Sequence, residues 1–302
     1  MEMRTKNLTR IAPTPSGYLH IGNLYSFVVT WLIAKRTGAK ILLRIDDLDS
    51  LRVRTEYIDD IFRTLEFAGL DYDLGPSGTG DFLARHSQRH RLDLYEEALQ
   101  RLAENGSVFA CRCSRKEILE AGTGGCAGNC ADDRLPLNAD DAAWRFHSGR
   151  SSASFMQPDG GTVTAEIPSA MRQTVLRKKD GHPSYQLANV VDDSFYGVDL
   201  IVRGKDLLPS TLVQIAISEA LGDARFPKTA FYHHDLVTRG GEKLSKTQNA
   251  PSVRSAFTTR AELLTRIASM LGINRPVSSP EELLRLSDEL NTPLPAAAPD
   301  MR

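Results

Sequence analysis

The chain has 302 residues, with 37 lysines and arginines against 38 aspartates and glutamates, and is long enough for one large domain or two ordinary ones around a sizeable core. A formal net charge of −1 provides no bulk attraction to nucleic acid or acidic membrane, so any polyanion contact must be local. No run reaches the roughly 20 apolar residues of a membrane span, the start "MEMRTKNLTR" lacks the apolar stretch of a secretory signal, and four cysteines do not make a disulfide scaffold, so a soluble cytoplasmic protein is expected.

"TRIAPT" is a short β-prone run stopped by Pro13 and Pro15, which cannot donate to a sheet ladder. From Gly22 the period changes. Leu24, Phe27, Val28, Trp31 and Leu32 recur at steps of three and four, predicting a helix to about Arg36 that stops at Gly38. "AKILLRID" reads as a buried strand and completes a βαβ unit. Helical periodicity returns in "TEYIDDIFRTLEFAGL" and "RLDLYEEALQRLAENG", and strands are predicted at "VFACRC", around "TVLRKKDG" and at "YQLANVVDD". This alternation predicts an α/β fold, a Rossmann-like doubly wound and mostly parallel sheet with helices on both faces. The expected organisation is a first half over 1–110, an insertion over 111–170 where glycine, serine and aspartate dilute the pattern, a second half over 171–257, and a short helical segment over 258–302.

The glycine- and proline-rich stretch before the first long helix has a physical use. In open α/β sheets ligands bind at the carboxyl ends of strands, where a helix amino terminus presents free N–H groups to a phosphate. In "HIGN", His20 can donate to a phosphate oxygen beside Gly22, and Asn23 can donate an amide N–H; taken alone, the same letters fit a tight turn whose histidine packs or caps. Far downstream, "GGEKLSKTQNA" places Lys243 and Lys246 in a glycine-flanked loop, suited to the charge of a triphosphate and equally readable as an exposed basic loop. Cys111 and Cys113 form a C-x-C pair and Cys126 and Cys130 a C-x3-C pair, close enough for a tetrahedral thiolate site, with reduced structural cysteines as the alternative. Such a site would be structural, because four thiolates leave no open position.

The histidine turn and the K-L-S-K-T loop together resemble the two signature motifs of class I aminoacyl-tRNA synthetases. "RIAPTPSGYLHIGN", "LLRIDDLD", "YQLANVVDD" and "IVRGKDLL", in that order from about Arg10 to Ala250, resemble the catalytic core of the glutamyl branch. The resemblance implies ATP and Mg2+, with ATP held by His20, Gly22, Asn23, Lys243, Ser245 and Lys246, of which His20, Asn23, Lys243 and Lys246 would be catalytic. It implies a glutamate site made by Arg10, Ala12, Thr14, Asp46, Tyr185 and Arg203. An acidic substrate suits the planar fork of Arg10 or Arg203, although Tyr185 also reads as a half-buried strand aromatic and Arg203 as a surface charge. One departure stands out: the branch has Glu where this chain has Asp46, shortening the reach toward the substrate's ammonium by one methylene, on the order of 1.5 Å, so another amino acid or a non-tRNA acceptor remains an alternative. Only residues 251–302 follow the lysine loop, so no anticodon-reading domain is expected, as in truncated paralogues of the branch. The resemblance to those paralogues implies tRNA-independent glutamate activation, transfer to the queuosine base of tRNA(Asp), and a Zn2+ site in the insertion, with Cys126 where they usually have tyrosine. A monomer without a membrane partner is expected, with Arg52, Arg54, Arg85, Arg89, Arg91 and Lys178 as candidate RNA phosphate contacts or plain solvated charges.

Overall fold

The computed structural model describes residues 3–49, 51–128, 130–133, 135–236, 238–239, 242–243 and 251–289. The chain divides into two compact units, one of Met1–His90, Leu200–Asp206 and Tyr232–Arg302, the other of Arg91–Asp199 and Leu207–Phe231.

In the first unit, strand β1 (Leu8–Ile11) pairs in parallel with β2 (Lys40–Leu43), in register Leu8↔Lys40 to Ile11↔Leu43. Helix α1 (Ile21–Thr37) connects them and ends at Gly38, as the periodicity predicts. Leu24, Val28, Trp31 and Leu32 are all but sealed from solvent, and the Trp31 ring N–H donates to Asp71 at 2.5 Å, so the one polar atom of this large side chain is satisfied. Helix α2 (Thr55–Ala68) buries Ile58, Ile61 and Leu65 on one face. Arg260, at the start of a helix over Arg260–Met270, donates to the carbonyls of Phe67 and Glu66 at 2.9 and 3.0 Å, capping the end of α2. The last helix among the described residues, Pro280–Glu289, is tied to α1 through Arg36, which donates to Ser287 and Asp288.

In the second unit, Val108–Cys111, Ala143–Phe146 and Val175–Arg177 form an antiparallel sheet, while Ser152–Met156 and Thr162–Glu166 form an antiparallel hairpin. Met156 meets Ala230 in a parallel pairing. The α/β class and the parallel first βαβ unit agree with the sequence; the antiparallel sheet was not foreseen.

"YQLANVVDD" is a helix, Tyr185–Tyr196, and not a strand. Its two adjacent valines favour β structure locally, but Leu187, Val190 and Asp193 bury one face at helical spacing, and Gly197 terminates the helix. Arg91 is not a free surface charge either. It is 6 % exposed, its Nε donates to Asp192 at 2.9 Å, and the Tyr95 hydroxyl donates to the same carboxylate at 2.8 Å. That burial removes it from the RNA-contact candidates, whereas Arg52 and Arg54 remain largely exposed.

Candidate active site and four-cysteine cluster

The chain between β1 and α1 is held from both sides at Leu19. Its N–H donates to Oδ2 of Asp60, a buried carboxylate of α2, at 2.9 Å. Its carbonyl accepts from the N–H of Val253 at 2.8 Å. His20 follows immediately as the N-cap of α1, and its Nδ1 accepts from the backbone N–H of Gly22 at 3.1 Å and of Asn23 at 3.4 Å. Asn23 completes the reciprocal pair by accepting from the His20 N–H at 3.1 Å. The imidazole therefore takes up the Gly22 and Asn23 N–H groups, which the sequence reading expected to be free for a phosphate. An accepting Nδ1 assigns the proton to Nε2, so the ring becomes the donor in their place. Burial lowers the His20 pKa below 6.5 and keeps this neutral form at pH 7. A side chain at Gly22 would bring its Cβ to 3.0 Å from the ring, so the small residue makes room for the histidine.

Past the end of the parallel ladder, Asp46 donates its N–H to the carbonyl of Pro13 at 2.9 Å, which brings it beside half-buried Ala12 and exposed Thr14. The Asp46 carboxylate is engaged from the other side by Arg44, Nε to Oδ1 at 2.7 Å and Nη2 to Oδ2 at 3.1 Å. Both side chains are almost fully buried. Sequence reasoning passed over Arg44, although the pair stands in plain view within "RIDD". The neighbouring Asp47 accepts from Ser87 Oγ at 2.6 Å and from the Gln88 N–H at 2.8 Å, and Gln88 returns the contact by accepting from the Leu48 N–H at 3.1 Å.

Arg10, on β1, is 6 % exposed and donates from Nη1 to the Val202 carbonyl at 3.5 Å. Val202 neighbours Arg203 on Leu200–Gly204, a strand buried along its whole length. Arg203 is thus interior and not a solvated surface charge, and its positive field joins burial in driving His233 down to about 3. His234 is also buried, and its Nε2 shares a hydrogen bond with Ser26 Oγ at 2.9 Å. Neither histidine was singled out in the sequence, where "YHHD" is simply the end of an apolar strand.

Tyr185 stands at the first position of its helix in the second unit and is 44 % exposed, not a half-buried strand residue. Of the lysine loop, Glu242–Lys243 pairs with Thr238–Arg239 as a short antiparallel ribbon, while Ser245, Lys246 and the Lys243 side chain lie outside the described residues.

The four cysteines converge within the second unit, with their sulfurs all within 4.8 Å of one another. Cys111–Cys126, Cys113–Cys126 and Cys113–Cys130 each stand at 3.7 Å. These separations are too long for disulfides at about 2.05 Å. They match the edge of a tetrahedron with metal–sulfur bonds of about 2.3 Å, which is about 3.8 Å, so the donor set fits a zinc ion.

The model for "tRNA synthetases class I (E and Q), catalytic domain" matches residues 6–134 and 138–289. Glutamyl-Q tRNA(Asp) synthetase of Methylococcus capsulatus is 39% identical over 246 residues, covering 81% of this chain and 77% of that protein. Glutamate–tRNA ligase 2 of Syntrophus aciditrophicus is 33% identical over 302 residues, covering 93% of this chain, which spans only 61% of that relative's length. Among solved structures, glutamate–tRNA synthetase from Elizabethkingia anophelis shares the fold with a TM-score of 0.73 at 23% identity, over 93% of this chain and 65% of that one. The chain belongs to the catalytic-domain family of the class I tRNA synthetases of the E and Q branch, and is an enzyme of the ligase class.

Proposed function

We propose that this enzyme activates glutamate with ATP in the absence of tRNA and transfers the glutamyl group to the queuosine base of tRNA(Asp), as a cytoplasmic monomer. The relatives named glutamyl-Q tRNA(Asp) synthetase support the acceptor. The observation that carries the chemistry is the double tether of Leu19. Val253 follows Lys246 by seven residues, and its bond to the Leu19 carbonyl ties that point of the chain to the residue before His20.

In the activation step the substrate carboxylate attacks the α-phosphorus in line and pyrophosphate departs. His20, through Nε2, and Asn23, through its side-chain amide, donate to phosphate oxygens at the mouth of α1, with Gly22 leaving room for the close approach. Lys243, Lys246 and the Ser245 hydroxyl meet the charge that passes to pyrophosphate. No general base is needed, since the attacking carboxylate is already ionised. Mg2+, when bound with ATP, would neutralise part of the triphosphate charge. Arg10 and Arg203 pair with substrate carboxylates and Asp46 with the ammonium, and Ala12, Thr14 and Tyr185 are further amino-acid-binding residues. Cys111, Cys113, Cys126 and Cys130 hold a structural zinc ion.

A second reading, activation of a different amino acid, is favoured by one observation. Both Asp46 oxygens already accept from Arg44, which weakens their hold on an ammonium and makes the shorter side chain a candidate specificity switch.

The acceptor is tested by incubating the enzyme with labelled glutamate, ATP and tRNA(Asp) prepared with or without queuosine. Label on the queuosine-containing tRNA alone is the expected result. Equal labelling of both, or label on tRNA(Glu) in a parallel incubation, would show an ordinary synthetase and overturn the proposal.

A further inference from the structure

The four-cysteine cluster has a polar surrounding that the ligands alone do not explain. Gln173 reaches across it with both of its carbonyl groups. Its side-chain Oε1 accepts from the Cys126 N–H at 2.8 Å, and its backbone carbonyl accepts from Arg145 Nη1 at 2.8 Å. The approach of Gln173 to the knuckle is close. A Cβ on Gly125 would lie 2.6 Å from Oε1, so the residue before Cys126 must be glycine for the amide to seat.

Arg145 is the less expected partner. It lies on Ala143–Phe146, opposite Phe109, while Cys111 lies opposite Ala143. In an antiparallel pair that register places Arg145 and Cys111 on one face as diagonal neighbours. The guanidinium lies beside the Cys111 thiol, is 6 % exposed, and buries its Nε without a hydrogen-bond partner among the described residues. A cation in such a position is expensive unless a counter-charge is present. Four thiolates around a divalent ion supply one, because their net charge is −2, and thiolate sulfur accepts from a charged N–H.

We propose that Arg145 is the charge-compensating residue of the metal site: its guanidinium, fixed through Nη1 to the Gln173 carbonyl, neutralises part of the tetrathiolate charge from beside Cys111. This rests on the reading of the cluster as a metal site. Arg145 is a positioning residue here and touches no substrate. It makes Gln173 the shared anchor, with the cation held at one end and the Cys126 backbone at the other. The arrangement explains why a strand of the antiparallel sheet carries a buried arginine at all.

The test uses the full chain loaded with Zn2+, with affinity read by competition against a chromophoric chelator, and with Co2+ as a spectroscopic probe of the sulfur ligands. Arg145→Met and Arg145→Gln, two neutral replacements of different polarity, are expected to lower zinc affinity about 10- to 100-fold. Arg145→Lys, which keeps the charge, should recover much of that loss. The cobalt–thiolate absorption should persist in all three at saturating metal, showing that the ligands are intact. Circular dichroism of the metal-free forms identifies any variant that does not fold, and the remaining neutral variant then carries the comparison with lysine. Neutral variants within twofold of the parent, or a lysine variant no better than the neutral ones, would overturn the role of Arg145 alone. No cobalt–thiolate band in the parent chain would overturn the metal site and this role with it.

Discussion

His20 divides its work between two ring nitrogens. Nδ1 closes the first turn of α1, and in the proposed mechanism Nε2 is the donor to substrate. The two roles are separable. His20→Asn retains an N-capping side chain but lacks the ring donor, so amino-acid activation should fall by about 10²- to 10³-fold with little change in melting temperature. His20→Ala should lose the same activity and, in addition, about 1 kcal/mol of stability, read by denaturant unfolding. Asp46 makes a different prediction. Its carboxylate and Arg44 form a buried pair, and a buried guanidinium deprived of its partner is costly, so Asp46→Asn should destabilise the enzyme by about 3 to 5 kcal/mol and leave Asp46→Glu much closer to the parent. Stability of Asp46→Asn equal to the parent in urea would show that Arg44 does not depend on this carboxylate. At this scale the sequence was readable at His20, Gly22 and Asn23 as a tight turn whose histidine caps the helix. It was silent on Asp60, whose bond to Leu19 spans 41 positions, because nothing in the local pattern marks a buried aspartate on α2 as an anchor.

Elements with a clear period were legible. The apolar spacing of α1 and α2 survives in the structure within a residue or two, whereas β2 ends at Leu43, three residues before the end of the predicted run. "YQLANVVDD" was not, because a short segment with paired valines satisfies a strand pattern and only tertiary burial of Leu187 and Val190 decides for helix. The cysteine cluster was legible for another reason: C-x-C and C-x3-C are spacings that a single ion imposes, and the fold brings their four sulfurs within 4.8 Å. Its environment was not, since Arg145 and Gln173 come from strands and turns far along the chain. A strong chelator should therefore lower the melting temperature by about 5 °C, as a loss of about 3 kcal/mol does in a chain of this size, and added zinc should restore it. Hydrogen exchange should place the loosening in Val108–Cys111 and its antiparallel neighbours, with α1 unaffected. Uniform loosening of both units would contradict a local structural ion.

For the whole molecule, buried neutral histidines set the acid limit. His233 is depressed to about 3 by burial, the Arg203 charge and His234, while an unfolded chain binds that proton near 6.5. The unfolded state thus binds more protons between those values, so stability is complete above about 6.5 and is lost as pH falls toward 3. At pH 5 this one residue accounts for about 2 kcal/mol, and His233→Gln should flatten the fall in melting temperature between pH 7 and 5. His20 and His234, also lowered by burial, add to the slope in the same direction. The βαβ entry was visible in the alternation of elements, whereas the antiparallel sheet was hidden among glycine-rich turns that carry no period, and the boundary between the two compact units at Arg91 falls inside a helical run that no change of composition marks. In the proposed mechanism these parts serve one step, in which His20, Lys243, Lys246 and the arginines of the buried strands act on ATP and an amino acid together. The most direct test is ATP–pyrophosphate exchange by the zinc-replete enzyme with each standard amino acid in turn and no RNA present. Exchange with glutamate alone, abolished in His20→Asn, is the predicted result; exchange with a different amino acid, or none until tRNA is added, would contradict the account.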